Sequence, residues 1–170
     1  HGIAPRVICG NAWWDRQRQA AYAASGYRCL ACGAAKAEVK GERKWLEAHE
    51  LYDYDYEKGR LTFKGVVALC PFCHSFIHSG RLSMLLHDGN ITRQHYDAVI
   101  EHGEAILRRA GLYDKWASRH DHDCHVPWQD WRLVCFGKAY GPSSRCMEDW
   151  INRDWKNWRP TGKEKTINEA

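Results

Sequence analysis

A chain of 170 residues with 44% hydrophobic and 27% charged side chains has the composition of a water-facing domain with enough apolar residues for one core. No apolar run approaches the ~18 residues of a helical membrane span and no secretory leader is visible, so no membrane partner and a cytoplasmic location are expected. A formal net charge of +4 permits an acidic partner without requiring one.

"NAWWDRQRQAAYAASGYRC" has the pattern of a helix from near Asn11, with Trp14, Arg18, Ala21 and Tyr22 on one stripe and Gly26 just past its end. It leads into the pair Cys29 and Cys32, followed by Gly33 for a tight turn. "KWLEAHEL" alternates weakly and predicts a strand, Lys58-Gly59 carries turn chemistry, and "VVALC" predicts a second, β-branched strand. Pro71 suits the first position of a helix, so a short one is expected over Phe72 to Ser79. "RLSMLLHDG" predicts a further helical piece stopped by Gly89.

"TRQHYDAVIEHGEAILRRAG" carries the clearest helical pattern. Thr92 suits its cap, Tyr96, Val99, Ile100, Ile106 and Leu107 its apolar stripe, and Arg108 and Arg109 its last turn. Beyond "SRHDHDCHVP" the texture changes. "WRLVCFGKAYGP" predicts a hairpin, "SSRCMEDWINRDWKNW" a tryptophan-studded helix, and the polar terminus should fray. The domain reading is 1–119, with a motif core at 27–80, followed by a Trp-rich C-terminal extension over 120–170.

Of the eight cysteines, Cys29, Cys32, Cys70 and Cys73 form two CxxC pairs far apart in sequence. That is the ligand number, type and spacing of a closed structural zinc site, and it points to a reducing compartment. Four thiolates leave no open coordination position, so this zinc would be a fold element rather than a catalyst.

Inside "ALCPFCHSFIH" two histidines remain. His74 and His78 are four apart on the proposed helix and so share a face, while Cys73 lies about 100° around from His74. One helix can therefore present thiolates on one flank and imidazoles on the other. A third ligand should come from a neighbouring strand, where "LEAHEL" offers His49. A lone histidine is more often a satisfied, half-buried residue, but three converging on a short ββα unit suggest a second metal site.

Residues 27 to 80, "GYRCLACG…WLEAHEL…VVALCPFCHSFIHSG", resemble the zinc-knuckle branch of the HNH endonucleases, ββα-metal nucleases common in phage and bacterial genomes. The resemblance covers about a third of the chain. It implies an α+β protein with a zinc-stabilised ββα-metal (HNH-like) centre and flanking helices. It also implies hydrolysis of phosphodiester bonds in double-stranded DNA by nicking or weakly specific cutting, in a bacterial or phage-infected cell. By position, His49, His74 and His78 match the ligands of a catalytic divalent metal (Zn, Ni, Mn or Mg), beside the structural Zn. Glu50 falls where the family has its general-base histidine, and Gly65 where it has an asparagine. A carboxylate can activate water, so Glu50 is the expected base. The alternative is a catalytically reduced HNH-fold module that binds DNA or protein.

Three other signals are weaker. Asp53, Asp55 and Glu57 resemble part of a calcium loop, but Lys58 occupies the glycine position and the closing glutamate is missing, so a solvated turn or edge is expected. His120, His122, Cys124 and His125, with Cys135 or Cys146, form no metal-site spacing beyond an adventitious one. The tryptophans at 128, 131, 150, 155 and 158 should mostly build a small core. Arg145, Arg153 and Lys156 beside them, with Arg81 after the histidine helix, are the candidate nucleic-acid contacts.

Overall fold

The structure, a computed structural model, describes residues 4–38, 45–118 and 125–142. It is mixed α+β, with a small sheet of four strands ordered β1-β2-β3-β4. Those strands are β1 (Glu47–Asp55), β2 (Arg60–Leu69), β3 (Arg132–Cys135) and β4 (Lys138–Tyr140), and the helices are α1 (Pro5–Ala24), α2 (Pro71–Ile77), α3 (Ser79–His87), α4 (Arg93–Arg109) and α5 (Tyr113–Ala117). No helix among the described residues is long and apolar enough to cross a membrane.

The chain forms two compact units. One takes the described residues of His1–Gln19, Glu50–Val66 and His122–Ala170, the other those of Ala20–His49 and Val67–Asp121. We call them the sheet unit and the cysteine unit.

In the sheet unit, β2 and β3 run parallel with Leu61 opposite Leu133, and β3 turns back into β4 with Cys135 opposite Lys138. The hairpin loop is Phe136-Gly137, both at positive φ (51° and 73°), the two-residue geometry whose twist matches that of the strands it joins. Leu61, Leu133 and Cys135 are buried together, with Ile8, Tyr52, Phe63, Trp131 and Tyr140 packed around them. Trp131 meets the ring of Tyr56 edge-on and donates from Nε1 to the Val126 carbonyl at 3.2 Å, so this tryptophan does serve the small core expected of it. The "DYDYEKG" stretch is the end of β1 and its turn, where Asp55 accepts from the Lys58 backbone at 3.0 Å and pairs with its ammonium at 3.1 Å.

In the cysteine unit, Cys29, Leu46, Ala68, Leu69, Cys70 and Cys73 are buried together, with Tyr22 and Ile106 packed on them. Thr92 caps α4 as expected, its hydroxyl accepting from the His95 backbone at 3.1 Å. Val99 of the expected stripe is fully buried. Two helix readings need correction. The run expected from Asn11 begins at Pro5 and is broken at Gly10 (φ 78°, ψ 173°), so Asn11 opens the part after the break. The histidine helix ends at Ile77 rather than Ser79, with His78 at φ −95° and ψ 45° between α2 and α3. The predicted tryptophan-studded helix lies outside the described residues.

Candidate metal centres

Each thiol is delivered by a local rule. After α1 the chain reverses: the Tyr27 amide donates to the Tyr22 carbonyl at 2.9 Å, closing the helix end. Cys29 and Cys32 then sit on a turn in which the Gly33 amide donates to the Cys29 carbonyl and the Cys29 amide to the Ala34 carbonyl, both at 2.9 Å. The Leu30 amide donates to the Ala68 carbonyl at 2.9 Å, which ties this turn to the end of β2. There Cys70 caps α2: its sulfur accepts from the Cys73 backbone at 3.4 Å, with Pro71 in the first turn, where a missing N–H costs nothing.

The four sulfurs lie within 4.8 Å of one another, and Cys29, Cys70 and Cys73 are buried. This cluster could bind a zinc ion: four soft donors gathered round one point, from two turns far apart in sequence, fit that metal's tetrahedral preference. The protonation chemistry fits as well. Thiols of Cys70 and Cys73 donating to the Cys29 sulfur hold its pKa far below the usual thiol value. The same bonds push Cys70 up to about 11 and Cys73 well above the ordinary range. Sulfurs this close shed one proton readily and the others with difficulty unless a cation takes up the charge, which is the linkage between metal binding and deprotonation.

A second group stands apart from the thiols. His49 on β1, His74 on α2 and His78 after it bring their ligand nitrogens within 4.8 Å of one another. Their ring centroids are 5.2, 5.0 and 4.7 Å apart. Although the helix ends before His78, its amide still donates to the His74 carbonyl at 3.2 Å, so the one-turn spacing survives. His78 is exposed and the other two are half-buried, which leaves the group open on one side.

His74 Nδ1 lies 2.5 Å from a carboxylate oxygen of Glu47, a residue our reading of the sequence passed over. That bond and the charge of His74 hold the Glu47 carboxyl below its usual range against the opposing effect of burial, with Trp45 and Arg81 adding to it. With Nδ1 engaged, Nε2 is the nitrogen His74 has left for a cation, and a carboxylate behind an imidazole is the common outer support of a metal-binding histidine. The signal was available: Glu47 and His49 are two apart on one strand and so share its face.

Glu50 belongs to the sheet unit, where its carboxylate oxygen lies 3.9 Å from a guanidinium nitrogen of Arg6 and its side chain is 14% exposed. Successive strand residues point to opposite faces, so Glu50 follows His49 in sequence while facing its own unit. Gly65 has φ 149°, a backbone that L side chains rarely adopt, so an asparagine there would be strained. Arg81 is exposed on α3 and interacts electrostatically with Glu47. Arg145, Arg153 and Lys156, like His120, His122, Cys124 and Cys146, lie outside the described residues. Of the remaining members of that histidine cluster, His125 is exposed and Cys135 is buried in the sheet core. No family model matches the chain, and no curated protein or solved structure matches it either.

Proposed function

We propose that the chain is a metal-dependent endonuclease of the HNH type that hydrolyses DNA phosphodiester bonds, by nicking or with weak sequence preference. The observation that carries this is the convergence of His49, His74 and His78, one from a strand, one from the helix that also carries Cys73 and one from the cap that ends that helix. Three neutral nitrogens with open space beside them suit Zn, Ni or Mn, with Mg favoured only by its abundance. A cation held there would supply Lewis acidity to a phosphodiester and charge to the leaving oxygen. Glu47 keeps His74 in one tautomer and orientation, and exposed Arg81 offers a guanidinium to phosphate. Glu50 is the group proposed to accept the proton from water, by its place after His49.

The ion pair of Glu50 with Arg6 favours a second reading, a catalytically reduced module that binds DNA or protein, because that carboxylate already has a charged partner within the fold. Plasmid cleavage by the purified protein separates the two. Under the nuclease reading, relaxed or linear DNA appears with Mn, Ni, Zn or Mg and disappears on chelation. His78→Ala then abolishes cutting with the tightly held zinc retained, and Glu50→Ala abolishes it with metal and DNA binding retained. A DNA mobility shift without cleavage in any of these metals would establish the binding module. Cutting by Glu50→Ala at the parent rate would remove Glu50 from the mechanism.

A further inference from the structure

The zinc-type cluster has a neighbour that is not one of its ligands. His102, on α4, places Nε2 3.3 Å from the sulfur of Cys73. It is not among the atoms that lie within 4.8 Å of one another in that cluster, so the imidazole addresses one sulfur rather than the centre.

Its position is set by how α4 packs on α2. Phe72, beside Cys73, meets His102 edge-on at 5.6 Å and 83°, and His95 at 5.6 Å and 65°. Gly103 comes so close to Phe76 that a Cβ on it would lie 2.2 Å from the ring. A side chain at 103 would therefore hold the helices apart and withdraw His102 from the sulfur.

We propose that His102 is a positioning residue for the zinc site, donating its Nε2–H to the Cys73 thiolate and thereby setting how tightly the cluster holds its metal. Four thiolates around one divalent cation carry a net double negative charge in a buried place. A directed N–H on one sulfur disperses part of that charge without taking up a coordination position. The same bond couples the metal to α4, whose sequence contains no ligand. The proposal stands independently of any nuclease activity.

The metal-loaded chain of 170 residues provides the test. With an NMR-active cadmium isotope in the cysteine site, the Nε2 proton of His102 should show scalar coupling to cadmium through the Cys73 sulfur, and its absence would overturn the bond. In zinc-loaded protein, His102→Ala should weaken zinc retention against a chromogenic chelator by about 10–100-fold, the usual effect of losing such a partner. In the cobalt-substituted protein it should also shift the thiolate-to-metal charge-transfer band. His102→Gln, which keeps an N–H at similar reach, should restore most of both. His95→Ala removes the matching contact to Phe72 without touching a sulfur, and should leave the band in place. A band unmoved in His102→Ala, or moved equally in His95→Ala, would reduce His102 to packing alone.

Discussion

The cysteine unit and the sheet unit close their cores with different chemistry. In the first, Cys29, Cys70 and Cys73 stand among Leu46, Ala68 and Leu69 at the centre. In the second, Leu61 and Leu133 share the centre with one thiol, Cys135, and aromatic rings from Tyr52, Phe63, Trp131 and Tyr140 seal it. A buried thiol packs as a small hydrophobe and removes less apolar surface from water than leucine does. The cysteine core therefore has more to gain from a cation on its sulfurs than the sheet core, which closes on leucines and aromatic rings.

The sharpest way to break this contrast is to remove the metal. Cys70→Ala, or a strong chelator, should cost the cysteine unit its fold, because the binding free energy of a structural zinc, about 10–16 kcal/mol in small zinc-binding peptides, is also folding free energy. Metal analysis should find one tightly held zinc in the parent, and amide hydrogen exchange should show protection lost from α2 and α4. Cysteines 29, 32, 70 and 73 found as disulfides in the native protein would end this reading.

The complementary substitution is Leu133→Ala, whose side chain is fully buried. It should destabilise the sheet unit by about 2–5 kcal/mol with zinc content unchanged, as read by denaturant unfolding beside metal analysis. Loss of zinc in this variant would show that the two cores are not separable.

Thiol alkylation distinguishes the units without mutation. Burial, with Cys9 nearby, raises Cys135 to about 12, so almost none of it is thiolate at mildly alkaline pH. After chelation, Cys29, Cys32, Cys70 and Cys73 should label while Cys135 resists until denaturant is added, a pattern that mass spectrometry would read directly. Simultaneous labelling of Cys135 would mean that metal loss opens both cores.

The smallest effect concerns Gly65→Asn, which puts back the residue the family resemblance would place there. At φ 149° it should cost on the order of 1–3 kcal/mol and bring no gain in cleavage. A gain would show that the strand can relax to a conformation an asparagine tolerates.

Much of the cysteine unit could be read in the sequence because its rules are local. Two CxxC spacings, Pro71 at a helix start, Thr92 as a cap and histidines one turn apart each rest on chemistry within a few residues. The turn at Lys58-Gly59 and the hairpin around Phe136-Gly137 were legible for the same reason. The helix boundary at His78 was not, since two helices abut there and either could have claimed it.

What the sequence determined by itself was therefore which side chains are chemically equipped, and roughly where strands and helices present them. Only the tertiary structure decided which of them meet. Parallel pairing of β3 with β2 joins segments some seventy residues apart, and no local pattern encodes that register. Trp13, rather than the Trp14 of the expected stripe, lies against Phe63 and Phe136, because the break at Gly10 and the packing of α1 set which ring reaches the sheet. His102 reaches Cys73 because Gly103 lets two helices approach, and Glu50 faces Arg6 because strand alternation turns it from its neighbour His49. Coordination and pairing are relations between distant residues, and their geometry exists only once the chain has closed on itself.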